Sequence, residues 1–408
     1  MKNTFAFLVF GGLVSAFASP VPELAQEPTY SQNARTCLVT IEYSLVDASV
    51  PAIASFDVFT NGVSVGASCL TNAQGDVNCR LAPGKSSYRI TWQPMATLPS
   101  LKMENGACAV VTLRAVSSPP DYMVVDLTKT VSQDDPVSYY ESPQAIPGGL
   151  DDDTYRTEKL VLKRIRAPRS GRWTMGRVLE YSGGTARANE SYHRVGLSED
   201  FWCGIYEMTQ GQVKEIRGGK WTSNYSGDDW NVHPVELVNF TDVTNIIRQL
   251  NERSGLAFSL PGEMQWEYAA RAGNGDGDWG DGSKMLLSAS VTTDLNLDAL
   301  AAYKDRTGGI SSTVKVGSFA ANSWGLFDLH GNVSELCRDW YKADISALDG
   351  AVVETDEDAT NAHVHRGGAY TSVGVVCRPA YRTSIAPSGS GSRNATIGFR
   401  VVCPVANE

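Results

Sequence analysis

In the stretch HRGGAYTSVGVVCRPAYR, residues 365–382, Cys377 is the one thiol and Ser372 stands five residues before it. A second thiol at that position would make a reactive pair with Cys377. A serine hydroxyl is a hard ligand that stays protonated near neutral pH, so it cannot replace a soft thiolate. A second set of chemically capable residues lies in DLHGNVSE, residues 328–335, where Asp328 and Glu335 flank a Gly-Asn turn. Two carboxylates folded over a turn, with carbonyls between them, can surround a hard cation with oxygens. Calcium takes six to eight such ligands in flexible geometry. The same spacing also reads as a solvated acidic turn.

Other residues carry less. His363 and His365 alternate on a β-rich run and can face one side of a strand, but no third ligand is evident beside them, and surface positions suit them better than a metal site. Trp266, Trp324 and Trp340 could stack on sugars, yet core packing is the ordinary fate of tryptophan. Arg366, Arg378, Arg382 and Arg400 suit ion-pair anchors for irregular loops. The chain has no P-loop and no CxxC pair.

The elements that must hold these residues differ along the chain. In CLVTIEYSL, Val39, Ile41, Tyr43 and Leu45 alternate with polar residues, the period of a half-buried strand. Asn61-Gly62 between two β-rich runs signals a hairpin. The runs YRITWQ, ACAVVTLRAV and DYMVVDL continue the series, and no helical period precedes residue 128. Residues 36–127 therefore read as a small antiparallel β-sandwich, immunoglobulin-like in pattern, after a loose leader at 19–35. Proline, Gly-Gly and an acidic run make 128–154 a connection. Beyond it, TDVTNIIRQLNERSG reads as an amphipathic helix with Val243, Ile246, Ile247 and Leu250 on one face and Gly255 at its end. PGEMQWEYAARAG reads as another, from Pro261 to Gly273, with Met264, Trp266 and Ala270 inward.

The whole chain has 408 residues, 42% of them hydrophobic, and a net charge of -10, which argues against non-specific nucleic-acid binding. Lys2, the apolar run at 5–14 and Ala16-Phe17-Ala18 form the pattern of a signal peptide cut after Ala18. An exported protein is expected, with no membrane span, because no later segment approaches 18 apolar residues. The eight cysteines divide into Cys37, Cys69, Cys79 and Cys108, then Cys203, Cys337, Cys377 and Cys403. Four in each part of an exported chain suggest disulfides closed within each domain.

Four blocks recur in the order of one family: FWCGIYEMTQGQV, FSLPGEMQWEYAARAG, WGLFDLHGNVSELCRDW, and HRGGAYTSVGVVCRPAYR with the closing IGFRVV. Together, over residues 155–404, they resemble the formylglycine-generating enzyme family, the sulfatase-modifying-factor domain. The resemblance implies an α+β fold, a modified C-type lectin with little regular structure. It implies a structural calcium held by the side chains of Asp328 and Glu335 and the carbonyls of Gly331 and Val333. A second family calcium has no clear ligand pattern in AAYKDRTGGISSTVKVGSF. Oxidase members of the family bind monovalent copper with two thiols five residues apart. Here the first of those positions is Ser372 and the second Cys377. Ala369 replaces the family's serine after the Gly-Gly pair, and Ser334 its tryptophan between Val333 and Glu335. The expectation is a kept fold without copper oxidase chemistry, acting as a lectin-like binding or scaffold protein for an unknown protein or glycan ligand. The alternative is a formylglycine-generating oxidoreductase acting on a protein cysteine. Cys337 pairs with Cys377 in a disulfide on one reading and in a displaced copper site on another; the disulfide would leave Cys203 to Cys403.

Overall fold

The computed structural model describes residues 22–405, apart from 67–68, 71–72, 78–79, 82–83, 95–97, 104–106, 116–119, 133–134, 177–187, 274–277, 288–292, 344, 346–361 and 387–392. The signal-peptide pattern at 1–18 and Cys79 lie outside the described residues. The chain divides into two compact units, Met1–Ser118 and Pro119–Glu408.

The first unit holds β1 (Thr29–Gln32), β2 (Val39–Tyr43), β3 (Ala52–Thr60), β4 (Val63–Ser64), β5 (Ala73–Gly75), β6 (Tyr88–Trp92) and β7 (Ala107–Ala115). They form two sheets, in the orders β1-β2-β6-β5 and β4-β3-β7. The alternation in β2 is realised: Val39, Ile41 and Tyr43 are buried while Glu42 is exposed. Asn61 and Gly62 take φ of 51° and 78°, the paired left-handed conformations that match a tight hairpin to the strand twist. The core packs Trp92, Ile90, Ile41 and Val58 together. Residues 19–35 are not a loose leader throughout. β1 pairs with β2 from Thr29↔Glu42 to Gln32↔Val39, and Leu24 bridges Leu45.

The second unit contains β8 (Tyr122–Asp126), β9 (Val137–Tyr140), α1 (Thr154–Thr157), β10 (Lys159–Ile165), β11 (Arg172–Met175), β12 (His193–Gly196), β13 (Phe201–Gly204), α2 (Gln210–Arg217), α3 (Phe240–Ser254), α4 (Glu263–Arg271), α5 (Leu295–Asp298), β14 (Ser334–Trp340), β15 (His363–Arg366), β16 (Thr383–Ile385), β17 (Ile397–Gly398) and β18 (Val402–Pro404). One sheet runs β18-β13-β10-β8-β9, another β16-β15-β14-β17, and β11 pairs with β12. The last strand, β18, thus lies in the same sheet as β10. Between α5 and β14 the chain runs as irregular backbone for more than 30 residues, and this stretch delivers the acidic turn.

The helices follow the sequence closely. α3 is capped reciprocally by Asn239 and Asp242, buries Val243, Ile246, Ile247 and Leu250, and ends on Gly255 at φ 72°. α4 starts later than Pro261, with Gly262 as its cap, and Ala272 takes the left-handed position ahead of Gly273.

The domain boundary falls earlier than the sequence suggested. Tyr122–Asp126, expected as the last sandwich strand, pairs with β10 from Tyr122↔Lys163 to Asp126↔Lys159. β9, inside the expected connection, extends the same sheet. The segment between them is tied to α3: Arg253 donates to the Leu127 carbonyl at 2.9 Å and accepts from Val131 N at 2.8 Å through its own carbonyl. Alternation identifies a half-buried strand but not the sheet that receives it.

The expected disulfides of the second unit are not formed. Cys203, Cys337, Cys377 and Cys403 carry free thiols, as do Cys37 and Cys108 in the first. Cys203 sits opposite Val402 and Cys403 opposite Trp202. That one-residue offset sends the two thiols to opposite faces of the sheet, where no rotamer can join them.

Because Met123, Val125 and Leu127 belong to the main core, residues 119–154 should be needed for folding. A chain beginning at residue 119 is expected to melt in one cooperative transition by circular dichroism. One beginning at residue 155 should lose that transition or melt at least roughly 10 °C lower, each large apolar side chain contributing about 1.5–3 kcal/mol. Equal melting would overturn this boundary.

Candidate functional site

The acidic turn is buried. Asp328 is 4% exposed and Glu335 1%, so the solvated reading fails. Its backbone is tightly constrained: Asp328, Gly331 and Asn332 have φ of 59°, 106° and 56°. A Cβ at Gly331 would stand 2.1 Å from the Ala302 carbonyl oxygen, which requires glycine there. Glu207, just after β13, fixes the turn from the other side. Its carboxylate accepts from Val333 N at 3.0 Å and from Asn332 Nδ2 at 2.6 Å, while Asn332 Oδ1 accepts from Val314 N at 3.0 Å.

The two flanking carboxylates are held differently. Glu335 forms a two-pronged pair with Arg400, at 2.6 and 2.5 Å, and accepts from Trp266 Nε1 at 2.7 Å. Asp328 Oδ2 accepts from Gly317 N at 2.7 Å, but Oδ1 is buried with no partner. Burial pushes Asp328 up to about 6, with Glu335 adding to the rise and Gly317 N and Arg400 opposing it. Burial, then Asp328 and Glu335, pushes Glu207 well above the usual carboxylate range. Three carboxylates share a low-dielectric space in which Arg400 is directly bonded to one. Asp328 keeps an unfilled oxygen from which a side chain can ligate a cation, although the three carboxylates do not converge into a three-ligand cluster. The segment 301–319, where no second calcium pattern was legible, supplies the Gly317 and Val314 donors to this turn.

The stretch around Cys377 has a different character. Cys377 is fully buried among Trp279, Leu297, Leu300, Ala301 and Tyr303. Burial raises its thiol pKa, so the reactive thiolate is disfavoured. Gly368, at φ 70°, leaves room for that sulfur; a Cβ there would come within 2.9 Å of it. Ser372 Oγ accepts from Ala369 N at 3.0 Å, closing a turn on its own backbone. His330 Nδ1 lies 2.9 Å from the Cys377 carbonyl and its Nε2 accepts from Gly280 N at 3.0 Å, consistent with a neutral ring. Cys337, on β14, is also fully buried, and burial followed by Glu263 raises its thiol well above its usual value.

The four arginines are the anchors that their positions suggested. Arg366 lies between Glu263 and Glu267 at 2.9 and 2.5 Å. Arg378 meets Glu190 at 2.9 and 3.2 Å, and Arg382 meets Glu263 at 2.5 and 2.7 Å. All four are nearly fully buried.

Residues 166–405 match the family described as the Sulfatase-modifying factor enzyme 1-like domain. The chain belongs to that family. The formylglycine-generating enzyme of Thermomonospora curvata is 28% identical over 174 residues, 41% of this chain and 54% of its own length. That of Streptomyces coelicolor is 29% identical over 223 residues, 51% of this chain and 68% of its own. The chain thus spans about half to two thirds of the length of these curated relatives. The structure of PvdO from Pseudomonas aeruginosa shares the fold at 23% identity and a TM-score of 0.50, covering 60% of this chain and 94% of that one.

Within this sulfatase-modifying-factor domain the remaining sequence candidates are packing residues. Trp266 is 1% exposed. Trp340 and Phe240 stack on His363 at 4.0 and 3.5 Å between ring centroids, so His363 is a core residue and not a surface one. His365 is pushed down to about 4 by burial. No group of three or more potential metal-binding side chains forms among the described residues. Trp324 packs edge-on to Tyr268 at 5.1 Å. Glu190, Glu207, Glu263, Glu267 and Asp339, all of them buried, are not among the candidates that sequence pattern singles out. Glu263 and Glu267, four apart on α4, share its buried side, a signal that was available beside the four arginines.

Asp339 offers a test. Its Oδ2 accepts from Glu263 N at 2.6 Å, its Oδ1 has no partner, and burial pushes it up to about 7, with the Glu263 charge adding to the rise. A carboxyl raised in the fold favours the protonated native state, so stability is lost as pH rises from about 4 through about 7. Asp339→Asn should flatten that loss, gaining on the order of 1–3 kcal/mol relative to wild type at pH 8 over pH 5. Parallel denaturant curves at the two pH values would show the burial argument to be wrong.

Proposed function

We propose that this is an exported member of the sulfatase-modifying-factor family that binds a ligand and does not oxidise one. In this reading an immunoglobulin-like β unit accompanies a lectin-type domain stiffened by calcium. The observation that carries it is the state of the two positions the family's oxidases fill with thiols. Ser372 spends its hydroxyl on the Ala369 amide, and Cys377 is a protonated core thiol walled by aromatic and aliphatic side chains. One buried thiol and a hard hydroxyl are a poor Cu(I) site. The residues present do not fit copper.

Calcium is a better match. The side chains of Asp328 and Glu335, with the Gly331 and Val333 carbonyls, would hold it. Asp328 Oδ1 is free to ligate, while Glu335 would share its charge with Arg400. Bound there, the ion would supply positive charge that keeps Asp328 ionised and the turn closed. Its role is structural. The names of the curated relatives favour the alternative, formylglycine-generating chemistry on a protein cysteine.

Two measurements test these proposals. Calcium should raise the melting temperature of the chelator-treated protein by several degrees, because a ligand bound only by the native state stabilises it by about 2.7 kcal/mol at a hundred times Kd. Asp328→Asn should lose most of that response; an unchanged melting temperature with calcium or chelator would rule out the site. Incubated with Cu(I), oxygen and a Cys-x-Pro-x-Arg peptide, wild type should leave the cysteine intact by mass spectrometry. Efficient conversion to the aldehyde would replace the binding reading with the oxidase one.

A further inference from the structure

We infer that a cleft at the C-terminal end of α2 binds a small acidic saccharide, one bearing a carboxylate or a sulfate. The inference rests on the binding reading above and names its ligand class. The cleft has a volume of about 450 Å³ and is lined by Arg217, Lys220, Trp221, Thr222, Leu237 and Arg393. That is within the size range of small-ligand sites.

Its cations lie over two aromatic rings, Trp221 and Trp230. The Arg217 guanidinium carbon lies 4.8 Å from the Trp221 ring centroid and that of Arg393 5.6 Å. Lys220 Nζ lies 4.0 Å from the Trp230 ring. Arg393 is neutralised by Asp242 through bonds of 2.7 and 2.6 Å. Among the described residues no carboxylate is within ion-pair distance of Arg217 or Lys220, so two cations stand uncompensated. The negative end of the α2 dipole helps to gather them. In a chain of net charge -10 this is a local reversal of sign.

The backbone beneath is built with care. Trp221 Nε1 donates to the Glu236 carbonyl at 3.2 Å. The Glu236 carboxylate is fully buried and accepts from Asn224 N and Tyr225 N, each at 2.8 Å. These bonds fix the indole and the loop after it. Leu237 then takes φ of 57°, a left-handed conformation unusual for a branched aliphatic residue, and its N–H donates to the Asn394 carbonyl at 3.1 Å. Strain of this kind persists where the surroundings hold it, and it clusters at ligand sites.

The ligand class follows from these parts. Leu237 and the part of the indole not covered by the guanidinium groups give the cleft an apolar wall for the C–H groups of a sugar ring, and Thr222 lines it as well. Arg217 and Lys220 match one or two negative charges on the same molecule. A long polyanion is disfavoured by the charge of the chain as a whole.

The test uses the full chain. Digalacturonate and a heparin-derived sulfated disaccharide are titrated by calorimetry and tryptophan fluorescence, with maltose, inorganic sulfate and AMP as comparisons. At least one acidic saccharide should bind saturably and more weakly as salt is added, while maltose does not bind. Whether the carboxylated or the sulfated probe binds identifies the anionic group. Lys220→Ala and Trp221→Ala should each lower affinity about tenfold. Lys220 is exposed, so Lys220→Ala should keep the wild-type melting temperature, and a loss of binding in it would then not be due to unfolding. The proposal is overturned if neither saccharide binds, if both variants bind as wild type does, or if AMP binds more tightly. It is also overturned if inorganic sulfate competes equally, which would make the cleft a site for an adventitious ion only. Conversion of the cysteine peptide by wild type would sink the binding reading while leaving these titrations to be judged separately.

Discussion

The buried pair of Glu335 and Arg400 holds the second unit together at its centre. Glu335 is on β14 and Arg400 lies between β17 and β18. Arg400 also donates to the carbonyls of Gly204 at 2.9 Å and Phe327 at 2.8 Å, and Trp266 of α4 closes on Glu335. One guanidinium therefore ties β13, the approach to the acidic turn, β14 and the C-terminal strands. The pair is fully desolvated, so its net contribution is small beside the cost of breaking it. Removing one partner of such a pair typically costs about 3–5 kcal/mol, because the other charge is left buried. Arg400 satisfies Glu335 with both prongs, whereas Asp328 and Glu207, with no such cation bonded to them, are pushed upward by burial and by their neighbours' charge.

The same device is repeated around α4. Glu263 serves Arg366 and Arg382, Glu267 serves Arg366 and Arg271, and Glu267 is held down to about 2 against its burial by those two cations and the Gly176 amide. A domain with long irregular connections cannot satisfy its loop carbonyls by ladders alone. Arginine supplies five donors in a fixed fork, and here those donors reach the carbonyls of Pro379, Tyr381, Asn189 and Lys342.

What was legible in the sequence had a local cause. The Asn61-Gly62 hairpin, the stripe on α3 and the Gly-Asn turn each declare themselves within about ten residues, and the structure shows each in place. Partners that lie farther apart along the chain do not. Tyr122–Asp126 reads the same whether it closes the first unit or joins β10. Cys203 and Cys403 invite pairing until register puts them on opposite faces. Glu207 contributes to the turn from 125 residues away and had no spacing to reveal it. At the acidic turn the two carboxylates were readable, but not that one would be held by Arg400 and the other left with an orphaned oxygen.

The anchoring network and the positions that differ from the oxidase pattern do not overlap, so the fold does not depend on the residues found at those positions. Arg366, Arg378, Arg382 and Arg400 bond to Glu263, Glu267, Glu190 and Glu335. Ser334, Ala369 and Ser372 take no part in those bonds. Ser334 needs only to fit beside Thr396, whose carbonyl accepts its N–H at 2.8 Å, and Ala369 needs only to be small. Substitution at these three positions therefore costs the scaffold little, and on the function proposed above it also leaves no pair of soft ligands for copper. This domain, anchored by carboxylate–guanidinium pairs, keeps its shape with a serine at position 372. Its surface, including the basic cleft beside α2, is then available for recognition without any requirement from the buried site.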